Sequence, residues 1–129
     1  TLVEAELMDV LEKEGVGCIA FSPLAQGMLT GKYLKGIPVG SRAQRADGAL
    51  QVENITPEIL EKINKWNRIA RERGQTLAQM AISWLLKDPR VTSVLIGART
   101  VEQLEENLKA AYNNTFTSEE LWELEFASA

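Results

Sequence analysis

Two corners of this sequence carry residue types suited to holding an anion. The first is Phe21-Ser22-Pro23-Leu24-Ala25-Gln26-Gly27-Met28-Leu29-Thr30-Gly31-Lys32, where a short apolar run breaks into a glycine-bearing stretch that ends on a cation. Glycine permits close backbone approach, and backbone N–H groups together with Lys32 can hold a phosphate. The second is Ile96-Gly97-Ala98-Arg99-Thr100, which runs into Val101-Glu102-Gln103-Leu104-Glu105-Glu106-Asn107. A helix starting there offers unpaired N–H groups and about half a positive charge, and Arg99 beside it can grip a phosphate through paired hydrogen bonds. Each corner also has a plain structural reading. The first is then a surface turn with ordinary glycines. In the second, Gln103 only completes a helix cap while Glu106 and Asn107 face water.

The rest of the composition removes most other chemistry. Gly27 and Gly31 ahead of Lys32 resemble a Walker A loop, but only three residues separate the glycines. Tyr33 also stands where a magnesium-binding serine or threonine is required, so nucleotide hydrolysis is rejected. The chain has no histidine, which excludes Ser-His-Asp and Cys-His catalysis and imidazole-ligated metal within it. Its one cysteine, Cys18, rules out an internal disulfide or a multi-cysteine metal site and reads as a small buried hydrophobe. A net charge of −4 argues against nucleic acid or an anionic membrane as partner. No apolar run approaches the roughly 20 residues that span a bilayer. The opening Thr1-Leu2-Val3-Glu4 does not read as a signal peptide, so cytoplasmic residence is expected.

The elements that must position these corners follow from periodicity. Residues 3 to 14 place Val3, Leu7, Met8 and Leu11 on one helical stripe, closed by Gly15. Val16 to Phe21 and Val91 to Ile96 are continuous apolar runs that predict strands buried on both faces. Between Leu24 and Asn54 no period is sustained, which predicts a long loop of the kind that is usually functional or disordered. Thr56-Pro57 opens a helix with a stripe of Ile59, Ile63, Trp66, Ile69 and Ala70, and Arg71, Arg73 and Gly74 close it. Capping boxes at Thr76/Gln79, Thr100/Gln103 and Thr117/Glu120 predict three further helices, the first stopped by Asp88-Pro89 and the second running through Leu108 to Ala111. Trp66, Trp84 and Trp122 are expected in core packing, and the glutamates at 102, 105, 119 and 120 on solvated faces or at helix starts.

Strands alternating with helices imply parallel pairing through right-handed crossovers. Two parallel strands cannot cover both of their faces, so the 129 residues suit one domain but look like part of a larger sheet or barrel.

Taken together, the corners resemble the aldo-keto reductase family. Ser22-Pro23-Leu24-Ala25-Gln26-Gly27 with Leu29-Thr30-Gly31-Lys32 is similar to the signature after the seventh barrel strand of that family. Ser93-Val94-Leu95-Ile96-Gly97-Ala98-Arg99 with Glu102-Gln103-Leu104-Glu105-Glu106-Asn107 resembles the signature after the eighth. Ile37-Pro38 and Ser41-Arg42 in the long loop look most like the branch that holds potassium-channel beta subunits and bacterial glyceraldehyde-phosphate reductases. The resemblance covers nearly the whole chain.

It implies a (β/α)8 TIM barrel that transfers hydride from NADPH to an aldehyde or ketone, with residues 1–129 as its C-terminal cofactor-binding segment. By that resemblance Ser22, Pro23, Leu24, Ala25, Gln26 and Gly27 follow the pyrophosphate and nicotinamide side of NADP(H). Lys32 and Arg42 reach the cofactor from the loop, and Gly97, Arg99, Gln103, Glu106 and Asn107 surround the adenosine and its 2′-phosphate. Serine is common in this branch at the position of Arg99, and the arginine implies an ionic grip on that phosphate and hence NADPH over NADH. The family's catalytic aspartate, tyrosine, lysine and histidine belong to the earlier part of the barrel, so no catalytic residue is assigned here and the chain alone is expected to be inactive. Tyr33 and Tyr112 stand in other contexts. The expected partner is a small carbonyl substrate in the complete protein. Two alternatives stand beside this: a non-catalytic NADP-binding or regulatory module, and a remnant whose copies self-associate into a homo-oligomer to bury strand edges.

Overall fold

In a computed structural model, residues 6–24, 29 and 56–126 are described. The long loop expected from Leu24 to Asn54 therefore lies outside the described residues, apart from Leu24 and Leu29, and Val3 does too.

Helix α1 (Met8–Lys13) leads to strand β1 (Cys18–Phe21). Then come α2 (Pro57–Glu72), α3 (Leu77–Leu86), strand β2 (Val91–Leu95), α4 (Val101–Leu108), a 3-10 turn (Lys109–Tyr112) and α5 (Ser118–Phe126). Both glycine stops work as the sequence predicts. Gly15 (φ +68°) and Gly74 (φ +71°) take the left-handed conformation that carries the chain out of α1 and α2. The N–H of each glycine closes on a carbonyl three residues back, and the next N–H on one five back (Val16 to Leu11, 2.9 Å; Gln75 to Ala70, 2.9 Å), the Schellman arrangement.

The start signals hold as well. Thr56 Oγ1 accepts from Ile59 N at 3.3 Å, with Pro57 at the first turn of α2. The boxes at Thr76/Gln79 and Thr117/Glu120 both close reciprocally. The core forms where the α2 stripe meets α3 and α5, from Ile63, Ile69, Ala70, Leu77, Met80 and Leu124, with Trp66, Trp84 and Phe116 packed against it.

The strands pair in parallel, with Ile19 opposite Ser93, Ala20 opposite Val94 and Phe21 opposite Leu95. At the entry the register slips: Cys18 faces Val91, and Thr92 drops out of the ladder. The Thr92 hydroxyl makes up the lost bond by accepting from Cys18 N at 3.0 Å. Gly17 makes room for it, since a Cβ at that position would lie 2.7 Å from Thr92 Oγ1. The strand starts at Cys18, two residues later than the apolar run from Val16 predicts.

Burial corrects the expectation for both strands. Ile19 is 70% exposed, Phe21 77% and Leu95 64%, so neither strand is covered on both faces. Each such side chain forgoes about 1.5–3 kcal/mol of burial. Among the described residues the bare face expected of a two-stranded parallel pair is thus present, and the helices cover only the other side. Cys18 is half-buried. Trp122 also departs from expectation: it is 59% exposed and leans on Phe126 with ring centroids 4.4 Å apart, outside the core. The helix expected to reach Ala111 ends at Leu108 and tightens into the 3-10 turn.

Ahead of β2, Asp88 does more than stop α3. Its Oδ1 accepts from Arg90 N (2.9 Å) and Nε (3.0 Å), its Oδ2 accepts from Arg90 Nη2 (2.7 Å), and Arg90 also pairs with Asp9 of α1. The hydrogen bonds from Arg90 hold the Asp88 carboxyl down to about 2 from 3.8, against desolvation acting in the opposite direction. A depressed folded-state pKa contributes stability above the unfolded value, and that stability is lost as pH falls through the folded one. Asp88→Asn should therefore lower stability to urea near neutrality, and the gap to wild type should close between pH 3.8 and about 2. A gap that does not depend on pH would show that the carboxylate charge is not the stabilising feature.

Candidate functional site: the carboxyl edge of the parallel pair

Parallel pairing sends both strands in one direction, so their exits share one edge. With Phe21 beside Leu95, Ser22 and Ile96 leave the sheet as neighbours, about 4.8 Å apart across the pair. That edge is the ligand-binding edge of parallel α/β folds. The described starts of the two corners, Ser22 and Ile96, thus lie on one edge because the strands leading into them run parallel.

At the first corner, Ser22 is exposed and has φ +53°, the only positive φ outside glycine among the described residues. A non-glycine residue there is uncommon and costs of order 1 kcal/mol or more. It turns the chain sharply as it leaves β1, and Pro23 and Leu24 follow half-buried. Leu24 C=O accepts from Leu29 N at 3.1 Å, which closes the mouth of this corner. Ala25, Gln26, Gly27, Lys32 and Arg42 lie outside the described residues.

At the second corner, Thr100 caps α4 by accepting from Gln103 N at 3.1 Å. The capping box expected here does not close on Thr100. Gln103 Oε1 instead accepts from Arg99 N at 2.9 Å, one residue further out. Gln103 thereby pins the backbone of Arg99 and leaves its side chain free. The Arg99 guanidinium is exposed and has no partner among the described residues. Gly97 is exposed with open space where a Cβ would stand. Glu106 is half-buried. Asn107, which the plain reading puts in water, is only 7% exposed, and its amide has no hydrogen-bond partner among the described residues.

Sequence reasoning used Gln79 only as a cap for α3. Its Nε2 also donates to Glu106 C=O at 2.8 Å, so α3 reaches directly into the helix that carries the second corner. The only hint in the sequence is a polar side chain recurring every fourth residue on an otherwise apolar helix. A cleft of about 480 Å³ lined by Leu86, Lys87, Pro89, Asn114, Phe116 and Leu121 lies at the opposite end, where β2 begins, and plays no part in this site. Among the described residues there is no cluster of three metal-ligating side chains, and no helix is long and apolar enough to cross a membrane.

Comparison with known proteins places the chain in a family. The profile of the aldo/keto reductase family matches residues 1–128. The chain is 55% identical over 124 residues to an L-glyceraldehyde 3-phosphate reductase of Escherichia coli (strain K12), covering 92% of this chain and 35% of that protein. It is 43% identical over 110 residues to a probable voltage-gated potassium channel subunit beta of Arabidopsis thaliana, covering 84% of this chain and 34% of that one. A putative subunit of the same kind from Schizosaccharomyces pombe (strain 972 / ATCC 24843) is 39% identical over 110 residues, covering 83% and 32%. The chain thus spans about a third of the length of these relatives. With the family profile matched along nearly its whole length, this chain belongs to the aldo/keto reductase family.

Proposed function

We propose that residues 1–129 are the C-terminal cofactor-binding segment of a (β/α)8 barrel oxidoreductase that reduces an aldehyde or ketone. The observation that carries this reading is the exposed Arg99 guanidinium, without a partner among the described residues and set at the start of α4 on the shared edge. The Asn107 amide, near the other end of α4, makes no hydrogen bond among the described residues, so its donor and acceptor are both available to a ligand offering the complementary pair. An adenine edge offers both, and a 2′-phosphate suits the guanidinium. These residues therefore fit NADP(H), and bound NADPH would supply the hydride.

In this reading Arg99 holds the 2′-phosphate and Asn107 the base, with Gly97, Gln103 and Glu106 shaping the adenosine end. Gly97 lets the backbone come close, and Gln103 keeps Arg99 turned outward through its grip on the Arg99 N–H. Ser22, Pro23 and Leu24, with Ala25, Gln26 and Gly27 beyond them, line the pyrophosphate and nicotinamide side, and Lys32 and Arg42 close over it. The bare sheet face at Ile19, Phe21 and Leu95 is where the remainder of the barrel packs. The carbonyl substrate is small, in keeping with the L-glyceraldehyde 3-phosphate reductases among the relatives. Similarity to potassium channel beta subunits favours a second reading, an NADP-binding regulatory module.

Arg99→Ala in the full-length protein tests the cofactor assignment. NADPH affinity should fall about tenfold while NADH affinity stays the same, and the wild-type preference for NADPH should shrink as salt is raised. Equal weakening of both dinucleotides would remove Arg99 from the 2′-phosphate. Loss of neither would remove this corner from the cofactor site.

A further inference from the structure

Gln75, Gln79 and Ser83 recur every fourth residue and so share one face of α3 and the turn before it. That face makes a ladder of hydrogen bonds to the backbone at the far end of α4. Gln79 Nε2 donates to Glu106 C=O at 2.8 Å, Ser83 Oγ donates to Ala110 C=O at 3.0 Å, and Gln75 Nε2 donates to Asn113 C=O at 2.9 Å and to Ser83 Oγ at 3.1 Å. The acceptors belong to the last turn of α4, the 3-10 turn and the residue after it, where carbonyls run short of helical donors. The ladder is sealed from water in part: Gln75 is 8% exposed, and Ser83 and Ala110 are fully buried.

Among the described residues, α4 otherwise packs mainly on α3 and the 3-10 turn. Its outward apolar residues Val101, Leu104 and Leu108 are 66%, 42% and 56% exposed, and the hydrogen bonds of its first turn among the described residues are local, between Arg99, Thr100, Gln103 and Leu104. The helix is a short rod of eight residues, roughly 12 Å long, tied by its carboxyl end to α3, which itself packs on β2. Any slide or tilt at the tied end moves the corner that carries Arg99.

We infer that this ladder sets the position of the adenosine corner, with Gln79 as a positioning residue for NADPH binding: its bond to Glu106 C=O determines where Arg99 and Asn107 meet the dinucleotide. This inference rests on the cofactor reading above. Gln79→Glu isolates the bond. The new carboxylate still accepts from Thr76 N, as Gln79 Oε1 does at 3.0 Å, so the cap of α3 survives, but it has no proton to give Glu106 C=O.

In the full-length protein Gln79→Glu should raise KM for NADPH about tenfold with kcat nearly unchanged, and should speed amide hydrogen exchange at Arg99 and Gln103. A role in folding alone would lower the active fraction and leave KM where it was. Gln79→Met, equally unable to donate, gives the same reading should the glutamate variant fold poorly. If Arg99→Ala raises KM for NADPH and neither Gln79 variant does, the ladder inference is overturned and the cofactor reading stands. If none of these variants changes KM, the cofactor reading falls and the ladder inference falls with it.

Discussion

Purified residues 1–129 mixed with NADPH and a simple aldehyde should show no loss of NADPH absorbance above the uncatalysed rate. Joining them to the upstream barrel segment expected from the family should raise the rate by at least about 10³, the scale set by a positioned proton donor. Reducing a carbonyl requires a proton on the oxygen as hydride arrives at carbon, and this chain has no histidine to supply it. Tyr33 lies outside the described residues. Tyr112 is 89% exposed in the 3-10 turn after α4, with no lysine or carboxylate partner among the described residues and a helix length removed from the start of α4. Turnover by the isolated chain, in a preparation shown by mass spectrometry to hold no host reductase, would mean that a donor is present here and that the division of labour proposed above is wrong.

Arg73→Ala should produce the largest loss of stability of any single exposed-type residue in the chain, about 3 kcal/mol by urea unfolding. The arginine suits the end of α2 by charge alone, yet its side chain is only 3% exposed. Nη1 donates to Glu120 Oε2 at 2.6 Å and to Thr115 C=O at 2.8 Å, Nε donates to Gln75 Oε1 at 3.0 Å, and the guanidinium carbon sits 3.7 Å above the Phe116 ring. Truncation strands these acceptors and loosens α5, which brings Leu124 to the core. Arg73→Lys should recover only part of the loss, because an ammonium cannot reproduce the planar fork or the stacking. Glu120→Gln should cost less than Arg73→Ala, since Glu120 is 27% exposed and water can replace its partner. A loss below about 1 kcal/mol for Arg73→Ala would place the residue among ordinary surface ion pairs.

Legibility followed the range of the interactions. Thr56-Pro57, the Thr76/Gln79 and Thr117/Glu120 boxes, and the stops at Gly15 and Gly74 act within a few residues, so each could be read from neighbours in sequence. Apolar period placed Ile63, Ile69 and Ala70 inside for the same reason. The strands were harder: an apolar run reports what a segment is built to meet and says nothing of whether the covering elements are present, and Ile19, Phe21 and Leu95 stand exposed. Trp122 misled in the same way, its stripe position outweighed by a helix that already buries Leu124 on its other side. At Thr100 the box motif was correct in composition, but the Gln103 side chain bonds one position further out, to Arg99 N.

By itself the sequence determined the local stops and starts, the absence of imidazole and disulfide chemistry within the chain, and the motif pairs that mark its family. Tertiary structure alone decided that the two corners share an edge, that Arg73 is a buried hub, that Asn107 lies mostly out of water, and that Gln79 reaches α4. The reason is physical: caps and periods arise from contacts between near neighbours along the chain. Strand direction, burial and hydrogen bonds across 27 or more residues depend on which distant segments the packing brings together.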